Sequence, residues 1–338
     1  MQRVAIIDLA RTLNYFYKDP FRDYSMKAKL KGSGAAPHLA LIAVQVMFGT
    51  WPLVGKVVLR SISSSGLVGL RVLGAALVLV MLRGKLRELP KLPGRDLAML
   101  TLCSLLGVVV NQLIFVRGLS LTTVINATLL GTTIPVFTLI VSIVFGYDRI
   151  SLRRVLGILL AASGVVYLVD PWRAQFSAET TSGNLLIVVN SFCYGAYIAI
   201  SKDLFKRHGA LNVITWMFVI GCLITTPIGA YALSHDSLGA AGIWIWVAVI
   251  YIVLIPTVAA YYLNAWALTR VPPTTVATYI YLQPLIAFGL APFLLGERLS
   301  SRTVIACLLI FAGVFVVIRR ARSRAAKDVI ERPDALAH

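Results

Sequence analysis

Apolar residues in this chain gather in blocks of about twenty, repeated from His38 to Ile318, and that spacing limits the fold more than any other feature. A helix rises about 1.5 Å per residue, so one block covers the roughly 30 Å of hydrocarbon in a bilayer. No water is available there, so each backbone amide must bond within its own segment or within a closed barrel. A barrel would alternate polar and apolar residues over stretches of about ten. No such alternation is visible, and helices remain. Composition agrees: of 338 residues, 58% are hydrophobic and 14% charged, against about half and a quarter in soluble domains.

The predicted spans of the first half are His38–Val57, Gly66–Arg83, Leu97–Val116, Thr122–Phe145 and Leu152–Val169. Those of the second are Asn184–Lys202, Leu211–Leu233, Gly242–Asn264, Thr274–Leu295 and Thr303–Ile318. The expectation is an all-α integral membrane protein with ten transmembrane helices. A first five-helix repeat occupies 38–169 and a second 184–318; an N-terminal segment (1–37), a linker (170–183) and a basic tail (319–338) complete the chain.

The net charge of +18 could suggest nucleic acid. Its distribution argues otherwise. With the N-terminus in the cytoplasm, 25 of the 32 Lys and Arg fall on the inner side, the bias that orients membrane proteins. Both termini are then cytoplasmic, the linker is extracytoplasmic, and lipid is the expected polyanionic neighbour. Cys103, Cys193, Cys222 and Cys307 each lie in an apolar span, with no CxxC, which reads as packing and not as metal or disulfide. The first long apolar run is already a full span, so no cleavable signal is expected. Met26 begins a short basic stretch that would serve as a start; an interfacial helix over the first 25 residues is the other reading.

A repeat lies within the apolar pattern. At an offset of 149, Pro135 meets Pro284, Arg149 meets Arg298, Ser151 meets Ser300 and Gly164 meets Gly313. Asp148-Arg149-Ile150-Ser151 echoes Glu297-Arg298-Leu299-Ser300. At 146, Phe48 falls on Tyr194, Gly49 on Gly195, Trp51 on Tyr197 and Lys56 on Lys202. Five spans per half are odd in number, so the second half enters the membrane from the opposite face, an arrangement suited to alternating access.

Phe48-Gly49-Thr50 followed by Lys56, Arg71 in the second span, Gly118-Leu119-Ser120 leading to Pro135, and the acidic-Arg-x-Ser segments before spans five and ten carry a resemblance. The chain resembles the drug/metabolite transporter superfamily, in its EamA-type branch of ten-helix carriers, from about His38 to Ile318. Asp148 departs from the Glu common in that family. The resemblance implies a carrier of the bacterial inner membrane with a cavity between its halves, often exporting amino acids or other metabolites.

Within the spans, polar and aromatic residues recur at helical spacing. Asn190, Tyr194 and Tyr197 share a face of span six; Tyr261 and Asn264 lie on span eight, Tyr279 and Gln283 on span nine. Gln45, Phe48 and Trp51 come from span one, Asn111 and Gln112 from span three, and Asn126 from span four. Together they would form a pocket with aromatic walls and a few amides, suited to a small amphipathic solute; singly, each could equally be interhelical glue. Pro135 and Pro284 should kink spans four and nine. Arg71 is the one charge within a span. It would anchor an anionic group or bond helices together, and the resemblance favours the structural role.

None of the 14 carboxylates is expected at mid-membrane depth, nor any His. Proton-coupled carriers commonly use buried acids or His as relays, so a facilitator or exchanger is expected. No catalytic constellation, phosphate loop or metal motif appears, and neither an enzyme nor a cofactor is indicated. A lipid or lipid-linked-sugar flippase, and a membrane receptor or structural protein, remain as alternatives.

Overall fold

The structure is a computed structural model, which describes residues 35–84, 93–145, 152–169, 178–236, 241–298 and 300–330. The alternative start at Met26 and the Asp148 loop lie outside the described residues. Among them the chain is helical and forms no strand. Eight helices are long and apolar enough to cross a membrane. They are α1 (Ala35–Val58), α2 (Ser64–Arg83), α3 (Gly94–Leu121), α4 (Val124–Val144), α6 (Ala178–His208), α7 (Ala210–Leu233), α8 (Ile243–Leu268) and α9 (Pro273–Leu295). Two more, α5 (Leu152–Val169) and α10 (Ser301–Ile330), contain the shorter apolar stretches Val155–Gly164 and Ser301–Gly313.

Helix ends depart from the hydropathy spans where polar residues continue a helix beyond the hydrocarbon. Helix α6 begins at Ala178, inside the expected linker, and α10 runs on to Ile330, inside the expected tail. Hydropathy marks the membrane; the backbone follows propensity and capping. Local chemistry sets other ends. Ser63 caps α2 by accepting the Gly66 N–H at 3.2 Å, and its own N–H donates to Asp236. Gly209, at φ +80°, turns α6 directly into α7, a conformation costly for a residue with a Cβ.

Packing follows a reciprocal scheme. Helix α6 lies on α3 and α4, and α1 lies on α8 and α9; α2 packs on α7, and α5 on α10. Close approach depends on small residues in places: a Cβ added to Gly69 would stand 2.7 Å from the Gly229 Cα. Outward, large apolar side chains are bare, with Phe293 87% exposed and Trp244 79%. Such surface is stable in lipid and would be a liability in water.

Candidate functional site

Four interruptions in the helices fall in two matched pairs. Helix α3 widens to a π-turn at Leu105–Val109, and α8 does so at Leu254–Ala259. In α8 the cause is chemical: Pro256 has no N–H for the carbonyl of Ile252, and the Thr257 hydroxyl donates to that carbonyl instead, at 2.7 Å. Helix α4 breaks between Gly131 and Ile134, and α9 tightens to a 3-10 turn at Tyr279–Leu282. Pro135 and Pro284 stand at the second position of the segments that follow. Each lacks the N–H that would have bonded four residues back, and the helix yields there.

Residues in or next to these interruptions contribute to a cavity lined from α1, α2, α3, α4, α6, α8 and α9. Of the sequence-predicted residues, Phe48, Trp51, Asn111, Gln112 and Asn190 line it, as do Tyr194, Tyr261, Gln283 and Arg71. Gln45 lies just behind, its amide oxygen accepting from Gln283 Nε2 at 2.7 Å. Asn264 supports Tyr194 by donating to its hydroxyl at 3.3 Å. Tyr197 packs against Tyr194, with ring centroids 5.5 Å apart, and is buried in the core. Asn126 and Tyr279 are not brought to the cavity. Asn126 occupies the first turn of α4, where its N–H bonds to Thr123, and Tyr279 pairs with His38 at 2.7 Å. The break residues Gly131 and Ile134, and Pro52 and Thr128, line the wall without having been predicted; Phe115, which the sequence sets with Asn111 and Gln112 on the third span, lines it too. The duplicated prolines were the available signal for the break residues.

A polar network crosses the centre. Arg71, 2% exposed, donates from Nε to the Thr257 hydroxyl and from Nη1 to Gln112 Oε1, both at 2.5 Å. Its Nη2 lies 3.4 Å from the Pro256 carbonyl oxygen. The guanidinium sits over the Trp51 ring, 4.1 Å from its centroid, which adds a cation–π contact. An arginine only donates, so Gln112 must present its oxygen to Arg71 and its amide nitrogen to Tyr261, 3.0 Å away. The Tyr261 hydroxyl in turn donates to the Gly107 carbonyl in the π-turn of α3, at 2.9 Å. Gln112 and Tyr261 are themselves 149 residues apart.

Two lysines repeat one device. Lys56 donates to the carbonyl oxygens of Leu119 and Thr122, at 2.7 and 2.6 Å, closing the C-terminal end of α3. Lys202 donates to the Val271 carbonyl oxygen beyond the end of α8, at 3.0 Å. Cations at such ends satisfy carbonyls without intrahelical partners. Glu297 performs the opposite service for α4, accepting the N–H groups of Val124 and Ile125 at 2.7 and 3.0 Å. Every acidic side chain described (Asp96, Glu179, Asp203, Asp236 and Glu297) lies at or near a helix end. Among the described residues no His, Cys, Asp or Glu cluster could hold a metal ion.

The chain is similar to known proteins along most of its length. An "Uncharacterized transporter YetK" of Bacillus subtilis (strain 168) is 26% identical over 284 residues, covering 83% of this chain and 86% of the relative. A "Probable terminal-alkyne amino-acid exporter" of Streptantibioticus cattleyicolor is 25% identical over 230 residues, covering 68% and 76%. A solved crystal structure shares the fold, with a TM-score of 0.60 at 20% identity, and is covered over 99% of its length by 86% of this chain. The model of the EamA-like transporter family matches twice, at residues 36–169 and 181–319, and the chain therefore belongs to the EamA-like transporters, multi-pass membrane proteins of the drug/metabolite transporter superfamily.

Proposed function

We propose that this transporter is an alternating-access carrier of ten membrane-crossing helices in two inverted repeats, 38–169 and 184–318, that exports small metabolites such as amino acids. Both termini face the cytoplasm in this reading, and a bacterial inner membrane is its setting. One observation carries it: local irregularities recur at the repeat offset, and residues beside the helix interruptions (Asn111 and Gln112, Gly131 and Ile134, Tyr261, Gln283) line one cavity. The π-turns start 149 residues apart, as do the prolines, and the lysine-bound carbonyls of Thr122 and Val271. Duplicated halves meeting around a central site, next to discontinuous helices, suit carriers whose halves exchange conformations.

The cavity volume is about 70 Å³, less than the roughly 300 Å³ or more of typical ligand sites. The conformation is contracted, and substrate needs the walls to part. Lining from seven helices favours a compact solute over a chain-bearing lipid. The amino-acid exporter among the relatives supports the metabolite class.

The test is an efflux screen. Cells or vesicles are loaded with amino acids and related metabolites, and export is compared between the parent and a Tyr194→Ala, Gln283→Ala variant. At least one compound should leave the parent markedly faster than the variant. Equal efflux of every transported compound would remove the cavity from the pathway.

A further inference from the structure

Arg71 presents an imbalance of charge that its own bonds do not settle. A guanidinium has five N–H groups, and the contacts to Thr257, Gln112 and Pro256 occupy three. One N–H on each terminal nitrogen has no protein acceptor among the described residues, and the group lines the cavity. No described carboxylate pairs with it, since the acidic side chains stay near the helix ends. A cation 2% exposed in such surroundings is costly without a counter-charge. Meanwhile three hydrogen bonds and the Trp51 face fix its plane. A planar fork held still, with donors left over, suits the two oxygens of a carboxylate.

The rest of the cavity sets the remaining chemistry. Phe48, Trp51, Phe115 and Tyr194 supply aromatic surface. Gln112 is bonded to Arg71 and to Tyr261, and the Tyr261 hydroxyl donates on to the Gly107 carbonyl. An ammonium group entering there meets only neutral acceptors and a fixed positive charge. We propose that the central cavity selects solutes with one net negative charge, borne as a carboxylate on an apolar or aromatic body and received by Arg71, over the matching zwitterions and cations. This rests on the central cavity being the transport route, and within the metabolites proposed above it favours carboxylates without a free ammonium group over the zwitterionic amino acids themselves.

One benzyl skeleton in four charge states makes the test. N-acetylphenylalanine is the anion, phenylalanine the zwitterion, N-acetylphenylalaninamide the neutral form and phenylalaninamide the cation. Binding to the purified full chain in detergent is measured by tryptophan fluorescence, and flux in proteoliposomes. The anion should bind about 10- to 100-fold more tightly than the neutral amide, the span of a charged hydrogen-bonded contact. In Arg71→Met that ratio should fall to about one, and Arg71→Lys should recover only part of it. Should Arg71→Met not fold, the series on the parent protein decides alone. Zwitterion or cation binding as tightly as the anion would overturn the carboxylate reading while leaving the route intact. If all four compounds stay out of the protein and none is transported, the carboxylate reading fails for want of a bound anion, while efflux of other compounds in the loaded-cell screen still judges the route separately.

Discussion

Lys56 does more for the fold than its place at the end of a hydrophobic helix suggests. Its ammonium joins α1 to the carbonyl end of α3, while Lys202 ties α6 to α8 by a single bond. A buried carbonyl losing its donor costs about 1–3 kcal/mol. Lys56→Met should therefore lower the thermal unfolding temperature in detergent more than Lys202→Met does; equal shifts would mean that the carbonyl contacts contribute little. The sequence paired these lysines through the repeat, but it did not reveal their acceptors, which belong to other helices. The same limit explains the site. Helical spacing identifies residues sharing a face and leaves open which face meets the centre. For Tyr279 even the face was misread. A 3-10 turn separates it from Gln283, and at three residues per turn four steps rotate about 120° past a full circle, against about 40° in an α-helix. Asn126 was placed within a span, yet it sits in the first turn of α4.

At the scale of the element, α8 shows one defect repaired by a neighbour. Thr257 accepts from Arg71 and donates to the Ile252 carbonyl that Pro256 cannot reach. Thr257→Val should cost about 1–3 kcal/mol by leaving both partners unsatisfied. Pro256→Ala restores an N–H to that carbonyl, so the double variant should be more stable than the sum of the single effects implies. A double-mutant cycle of thermal melts tests the coupling, and strict additivity would separate the proline from the threonine. The sequence made such positions visible as prolines within apolar runs, but the widening of the turn depends on where the freed carbonyl finds a donor.

For the whole molecule, the placement of acids sets the energetics. With every described acidic side chain at or near a helix end, a buried proton relay has no obvious member. Reconstituted vesicles should therefore move substrate without a matching pH change; proton flux that tracks substrate flux would contradict this. The membrane potential is then the available drive for an anion. About 2.3 kcal/mol per 100 mV corresponds to roughly a 50-fold gradient directed outward from a negative interior. Imposing an inside-negative potential with potassium and valinomycin should speed efflux of N-acetylphenylalanine, and indifference to the potential would argue for neutral exchange. The helical, membrane-crossing class was legible because hydrophobic thickness acts on each segment alone, and eight of the expected spans are helices long and apolar enough to cross a membrane. The reciprocal packing, with α6 on α3 and α4 and α1 on α8 and α9, depends on matches between distant segments and needed the structure.

Gln112 and Tyr261 stand at corresponding places in the two halves and hold each other at 3.0 Å. If the two halves exchange conformations as proposed, a bond between corresponding residues would be carried onto itself and need not break. It can serve as a fulcrum, with the rims at either mouth swinging while the centre stays put. The fulcrum is lopsided, an amide on one side and a phenol on the other. The two tilts of the seesaw therefore differ in energy, and the unloaded protein should rest with one mouth preferentially ajar.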